Sequence, residues 1–175
     1  MRVIAGEFRS RRLKAPPGLD TRPTPDRLRE SLFNILAPEI PGCVFLDAYA
    51  GTGAVGIEAL SRGAATAIFI EKSRAVCDVL RENLASLGLE KRAEVVVGSV
   101  AKSIPHRLAD IVFLSPPYTV PAEYALAFAA LAVHAAPLVV VQHPPQLDPG
   151  DTLGVRSRAR TVRQGSNFLS FYRLP

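Results

Sequence analysis

Val44-Phe45-Leu46-Asp47-Ala48-Tyr49-Ala50-Gly51-Thr52-Gly53-Ala54-Val55-Gly56 runs from an apolar segment through a carboxylate into a glycine loop. A helical pattern around Ile57-Glu58-Ala59-Leu60 follows directly. Glycines between a strand and a helix let the backbone take positive φ and approach a ligand closely. The same alternation continues on the far side. Ala67-Ile68-Phe69-Ile70 precedes a helix from about Arg74 to Leu87, closed by Gly88, and Glu94-Val95-Val96-Val97 precedes a short helical piece near 100–107. Ile111-Val112-Phe113-Leu114 leads past Pro116-Pro117 to an alanine-rich helix over roughly 122–134, and Leu138-Val139-Val140-Val141 is the fifth apolar run. Short apolar runs separated by helical patterns are what strands buried on both faces of a parallel sheet require. After Gly150, Val155 to Val162 and Phe168 to Tyr172 read as an antiparallel pair around Gly165-Ser166-Asn167. The expected architecture is α/β: a doubly wound, Rossmann-like domain with a terminal antiparallel hairpin.

Glu71 ends the second run about 20 residues beyond the glycines, where a carboxylate accepts hydrogen bonds from both hydroxyls of a ribose. Lys72 follows it. To this point a nicotinamide dinucleotide and S-adenosylmethionine are equally possible ligands. Asp47 separates them. A carboxylate ahead of the glycines repels a pyrophosphate, whereas it can organise the loop and meet the cationic methionine end of S-adenosylmethionine, directly or through water. Asp47, Ala48, Gly51, Thr52, Gly53, Gly56, Glu71, Lys72, Ser99 and Val100 are the candidate cofactor-binding residues.

Ser115-Pro116-Pro117-Tyr118 follows the fourth run, at the carboxyl edge where open α/β sheets place their ligands. An aromatic amino nitrogen is a poor nucleophile because its lone pair is delocalised into the ring. Two acceptors gripping its hydrogens restore that lone pair and aim it. The Pro116 carbonyl and the residue-115 side chain are the candidate acceptors, and prolines stiffen such a loop. Tyr118 is the candidate stacking partner of the base, an interaction worth roughly 1–3 kcal/mol.

Length and composition set bounds on this reading. A chain of 175 residues with 48% hydrophobic residues suits one core. No apolar run approaches the roughly 18 residues of a membrane span, and Met1 to Phe8 is too short for a signal peptide, so a cytoplasmic protein is expected. Cys43 and Cys77 form no Cys-x-x-Cys pair and have no histidine cluster beside them, which argues for reduced thiols and no metal. His106, His134 and His143 show no catalytic pattern, and a structural or solvent role is expected of them. The net charge of +5 conceals an asymmetry. Residues 1–14 carry +4 and residues 152–175 carry +5, leaving −4 for the middle, and arginine supplies nine of the ten terminal cations. Arginine's planar fork binds phosphate bidentately, so a nucleic-acid partner is favoured.

Residues 2–14 alternate loosely around Gly6 and suggest a short basic hairpin, broken by Pro16-Pro17-Gly18. Thr24-Pro25 reads as an N-cap followed by proline at the first helical position. Leu28, Leu32, Ile35 and Leu36 then define the buried face of a helix over 25–37, with Arg27 and Arg29 on other faces. The division expected is a basic hairpin and helix over 1–41 and the α/β domain over 42–175.

Residues 46–58 resemble the first motif of methyltransferases that modify exocyclic amines, whose loop typically reads Asp-x-Phe/Tyr-Ala-Gly-Ser/Thr-Gly. Those enzymes place an acidic residue after the third strand. Here Gly98-Ser99 stand there, and backbone groups near Ser99 and Val100 are the expected substitutes. At position 115 they usually carry Asp or Asn. Ser-Pro-Pro-aromatic is also the form in enzymes that resemble the trimethylguanosine synthase of RNA caps.

Nearly the whole chain resembles one bacterial family. Arg2-Val-Ile-Ala-Gly6-x-Phe-Arg9-x-Arg11-Arg12-Leu13 and Thr21-Arg22-Pro23-Thr24-Pro25-Asp26-Arg27-x-Arg29-Glu30 are similar to the opening signature of the RsmD family, and Arg163-Gln-Gly165-Ser166-x-x-Leu169-Ser170-Phe171-Tyr172 to its closing hairpin. The resemblance implies an RNA-binding extension over 1–41, a methyltransferase domain over 42–175 with a seven-stranded, mostly parallel sheet, and S-adenosyl-L-methionine as cofactor. It implies methylation of a guanine N2 amine in 16S ribosomal RNA, with the guanine swung out into Ser115–Tyr118. The implied partner is ribosomal RNA or a small-subunit assembly particle, with no membrane and no metal, and a monomer is expected. Arg9, Arg11, Arg12 and Lys14 would grip phosphates, while Arg22, Arg27 and Arg29 would line the entrance. Three alternatives stand beside it: methylation of adenine N6 in DNA or RNA, methylation of a protein glutamine, and an inactive RNA-binding relative.

Overall fold

Residues 1–16 and 24–175 are described by the computed structural model. One sheet runs through it in the order β3-β2-β1-β4-β5-β8-β7-β6. The five apolar runs are its parallel strands: β1 (Val44–Ala48), β2 (Thr66–Glu71), β3 (Ala93–Val97), β4 (Ile111–Leu114) and β5 (Leu138–His143). The tail supplies β7 (Arg156–Gln164) and β8 (Asn167–Arg173), antiparallel to each other, with β8 antiparallel to β5. A two-residue edge strand, β6 (Thr152–Leu153), brings the expected seven strands to eight.

Alternate side chains of the strands feed two separate cores, as a doubly wound sheet requires. Phe45, Phe69, Phe113 and Val140 face α1 (Asp26–Leu36), α2 (Ala54–Ser61) and α3 (Arg74–Ser86). Leu46, Ile70, Val112, Leu114, Val139 and Val141 face α4 (Val100–Ser103) and α5 (Pro121–Ala132). β1 lies between β2 and β4, so the strand order reverses there and leaves a crevice at the carboxyl ends of β1 and β4. Leu28, Leu32 and Leu36 are buried along α1, as their spacing predicts. Gly88 takes φ +67 just after α3 and ends it in the left-handed conformation.

Four local expectations change. β3 is the sheet's edge, with an intermittent burial pattern and Val97 exposed, so it is not buried on both faces. Pro25, not Thr24, occupies the N-cap of α1, and no side chain caps that helix. The Thr24 hydroxyl donates instead to Gln142 Oε1 at 3.1 Å. Residues 1–14 form a loop closed by a single Arg2–Arg12 bridge rather than a regular hairpin. That loop is seated on α2: buried Glu58 accepts from the Ile4 and Ala5 amides at 2.8 and 3.0 Å, and Ser61 Oγ donates to the Ala5 carbonyl at 2.6 Å. Gly6 allows this approach, because a Cβ there would stand 1.9 Å from the Ser61 carbonyl oxygen.

Arg156 is the fourth change. It counts among the terminal cations, yet it is fully buried. Its guanidinium donates to the carbonyls of Ala136 at 2.7 Å and Leu131 at 3.1 Å, and also to that of His134. It thus adds donors to carbonyls at and beyond the end of α5, among them that of Leu131, which the His134 amide also reaches at 3.1 Å. Burial pulls its pKa below the ordinary arginine value. Arg156→Leu should therefore lower unfolding stability by about 3 kcal/mol, read from urea midpoints, because the buried Ala136 and His134 carbonyls lose their donor. A midpoint unchanged from wild type would show that these carbonyls find other partners.

Candidate active site

The glycine loop leaves β1 and enters α2 through Tyr49, Gly51 and Gly53, all at positive φ. Gly53 is the N-cap of α2 and has no side chain to offer. Its φ is +83, and a Cβ there would meet Leu80 Cδ1 at 2.2 Å, so only glycine fits. Asp47 supplies the missing cap from the strand. Its Oδ2 accepts the Gly56 amide at 2.9 Å, in the first turn of α2, and the residue is 1% exposed. Of the two roles its position allows, the geometry shows loop organisation. Burial pushes the Asp47 carboxyl up to about 8; the Gly56 amide opposes that shift and the Glu71 charge adds to it. Ala48 is buried beside it, and Gly56 packs on Phe69, where a Cβ would sit 2.3 Å from the ring.

Glu71 faces the same loop across the crevice. Its Oε2 accepts the Gly51 amide at 3.1 Å and its Oε1 accepts the Ser73 amide at 2.8 Å. Gly51 differs from the other two glycines of the motif, since nothing lies within 4 Å of where its Cβ would be. The loop is therefore packed inward at Gly53 and Gly56 and open at Gly51. Thr52 is half-buried, and its carbonyl accepts from the Asn83 side chain at 3.1 Å. Lys72 and Ser99 are exposed, whereas Val100 is buried at the start of α4.

Ser115–Tyr118 lies next to this loop. Asp47 is in register with Phe113 and Ala48 with Leu114, and the Ser115 amide points at the Ala48 carbonyl at 3.5 Å. Ser115 is half-buried, Pro116 buried and Pro117 exposed. The Pro117 carbonyl accepts the Val120 amide at 3.1 Å and closes a turn. The Pro116 carbonyl is not without a local donor, because the buried Tyr124 hydroxyl stands 3.3 Å away and also reaches the Gln142 carbonyl at 3.0 Å. A carbonyl has two lone pairs, so one remains for a ligand. Tyr118 is half-buried; its hydroxyl donates to Asn167 Oδ1 at 2.8 Å and accepts from Gln142 Nε2 at 3.0 Å.

The candidate RNA-binding cations separate by environment. Arg9, Arg12 and Arg27 are exposed, and among the described residues no ion pair engages them. Arg11 is exposed and donates to the Ser86 carbonyl at 2.9 Å, and Lys14 pairs with Glu82 at 2.8 Å on the surface. Arg29 is corrected. It is fully buried and donates to the Arg2 carbonyl and Asp26 at 2.8 Å each and to the Ala54 carbonyl at 3.3 Å, so it faces the core and no phosphate. Arg22 lies outside the described residues.

Several residues at the site carry no motif. Gln142, Asn167 and Tyr124 hold Ser115–Tyr118, and Asn83 joins Lys14 to Thr52 through its side-chain amide. The available signal was a glutamine at the carboxyl tip of an otherwise apolar fifth run. His143, next to it, is buried, stacks on Phe168 at 5.6 Å and bonds Ser170, which is the structural role expected of it.

A family model described as conserved hypothetical protein 95 matches residues 1–173. The ribosomal RNA small subunit methyltransferase D of Escherichia coli K12 is 45% identical over 122 residues, 67% of this chain and 60% of that protein. Its namesake from Haemophilus influenzae is 40% identical over 125 residues, 67% of this chain and 64% of that one. The chain thus aligns with less than two thirds of the length of these relatives. The solved structure of an Escherichia coli protein described as "Putative methyltransferase yhhF" superposes with a TM-score of 0.84 at 36% identity, over 99% of this chain and 97% of that one.

The buried Asp47 carboxyl makes stability depend on pH. Between the usual 3.8 and about 8 the folded protein keeps a proton that the unfolded chain releases, so stability falls as pH rises through that window. Asn at this position keeps an acceptor for Gly56 but does not titrate. The stability of Asp47→Asn relative to wild type should therefore rise between pH 4 and pH 8 by on the order of a few kcal/mol. Urea midpoints across that range measure it, and a constant difference would contradict it.

Proposed function

The chain belongs to the RsmD family, the family of conserved hypothetical protein 95, and on that premise we propose that it transfers a methyl group from S-adenosylmethionine to the N2 amine of a guanine in small-subunit ribosomal RNA. The observation that carries the reading is the juxtaposition of the Asp47–Gly56 loop and Ser115–Tyr118 on adjacent strand tips. A donor held by one loop and an amine held by the other meet over the crevice.

The residues present fit S-adenosylmethionine. Gly51 leaves open space at the loop, and Glu71 faces it with lone pairs beyond the two that Gly51 and Ser73 occupy. Glu71 would hold the ribose, the Gly51–Gly53 backbone the methionine end, and backbone near Ser99 and Val100 the adenine. When bound, the group supplies an electrophilic methyl. The Pro116 carbonyl and the Ser115 hydroxyl accept the two amine hydrogens, and the Tyr118 ring stacks on the base. The methylated nitrogen loses its proton to solvent, so no strong base is required. Alignment of the reacting atoms supplies most of the acceleration.

Residues 1–41 act in this scheme as an RNA-facing extension on the catalytic body at 42–175. Arg9, Arg11, Arg12 and Arg27 supply exposed phosphate contacts, and Lys14 and Arg22 add to the positive charge of this extension. Ribosomal RNA as substrate, free or in an assembly particle, places the reaction in the cytoplasm.

Two experiments test the reading. Tyr118→Ala should slow single-turnover methylation of small-subunit RNA by roughly 10- to 100-fold, while calorimetric affinity for S-adenosylmethionine stays near normal. Glu71→Ala should reverse that pattern, and equal loss of both quantities in Tyr118→Ala would contradict base stacking. The pair Arg9→Ala and Arg12→Ala should flatten the salt dependence of RNA binding by roughly one unit of slope per lost phosphate contact. An unchanged slope removes these arginines from the interface.

A further inference from the structure

We infer that Gln142 is a positioning residue that fixes the Tyr118 ring and ties it, through Thr24, to the N-terminal RNA-facing segment. The inference rests on the base-stacking role proposed for Tyr118. Gln142 sits at the carboxyl end of β5, is 7% exposed, and has both ends of its side-chain amide in use. Oε1 accepts the Thr24 hydroxyl at 3.1 Å and Nε2 donates to the Tyr118 hydroxyl at 3.0 Å. The Tyr118 hydroxyl then donates to Asn167, itself 5% exposed, at the first residue of β8.

A phenol held at its oxygen by one donor and one acceptor has its long axis set. Packing of Tyr118 against the α4–α5 core limits rotation about that axis. A ring so held presents its face without first losing rotamer freedom, which is where stacking energy would otherwise be spent. Gln142 reaches the same loop a second time, since its backbone carbonyl accepts from Tyr124, whose hydroxyl also borders the Pro116 carbonyl. Both the stacking ring and the candidate amine acceptor are thereby referred to one residue.

Thr24 gives the network its outward end. It stands where a helix cap is expected, yet its hydroxyl serves Gln142 and leaves α1 without a side-chain cap. Arg27, exposed and one helical turn on, is a proposed phosphate contact. RNA seated on α1 therefore acts on the Tyr118 tether through two hydrogen bonds.

The test compares Tyr118→Phe, Gln142→Leu, Gln142→Glu and Thr24→Val in single-turnover methylation of the small-subunit particle, with calorimetric cofactor affinity alongside. Phe keeps the stacking face and removes only the tether. Tyr118→Phe and Gln142→Leu should each slow methylation about tenfold, with cofactor affinity within about twofold of wild type. Their double variant should be no slower than the slower single, since both cut one connection. Gln142→Glu, which keeps the acceptor for Thr24 but has no donor for the Tyr118 hydroxyl, should stay about as slow as Gln142→Leu. Thr24→Val should slow the wild type about threefold and leave the Tyr118→Phe background unchanged. A wild-type rate in Tyr118→Phe, or losses that multiply in the double variant, overturns the inference. Parallel loss of rate and cofactor affinity in Gln142→Leu would mark a structural role and overturns it as well. Tyr118→Ala at wild-type rate would instead overturn the base-stacking reading beneath it.

Discussion

The hydrogen bond from the Gly56 amide to the buried Asp47 carboxyl is the constraint on which the site depends. Gly53 occupies the cap position of α2 in a conformation, and against a neighbour, that exclude a side chain. The helix must therefore be capped from elsewhere, and β1 is the element that faces it. A carboxylate buried in this way is costly, because desolvation opposes its charge. In return the loop between strand and helix is held at both ends while Gly51 remains open. Glu71 completes the frame by accepting the Gly51 amide from β2. The backbone that would meet a cofactor is fixed by carboxylates on two neighbouring strands.

The N-terminal residues are fastened to that frame by hydrogen bonds from α2 and α3. Glu58 and Ser61 on α2 bind the loop at Ile4, Ala5, Glu7 and Phe8. Asn83 holds Lys14 on one side and Thr52 on the other. Arg29 joins the Arg2 carbonyl to that of Ala54 at the head of α2. A basic composition therefore covers two physical roles. Arg9, Arg12 and Arg27 are exposed to solvent, whereas Arg29 and Arg156 are buried against backbone carbonyls.

Much of this is legible in the amino-acid sequence alone. Continuous apolar runs such as Ile111–Leu114 and Leu138–Val141 are unambiguous when both faces of a strand are covered, and the glycine spacing marks the loop at any register. Glu71 and Asp47 follow, because they end strands. What stayed hidden depends on tertiary proximity. An arginine in a surface-like pattern reads as solvated, and nothing local tells Arg29 apart from Arg27, two residues away. Which one is buried depends on how α1 packs on α2. Thr24-Pro25 has the chemistry of a helix start, but Gln142, 118 residues further along, competes for its hydroxyl and wins. Edge position is equally non-local. The composition of β3 matches that of a central strand, and only the sheet order exposes it.

The place of β8 has a consequence for how the protein is made. β8 lies between β5 and β7, pairing with each, although both precede it in the chain. During vectorial synthesis β7 has no sheet to join until the strand that follows it has emerged. The hairpin must form first and dock as a pair, or β7 must wait with only the two-residue β6 beside it while the five-stranded core is complete. Non-local pairing of this kind is slow and leaves strand edges exposed while it lasts. Asn167, the anchor of the Tyr118 hydroxyl, comes with β8, so the Ser115–Tyr118 loop is not fully held until that strand has docked.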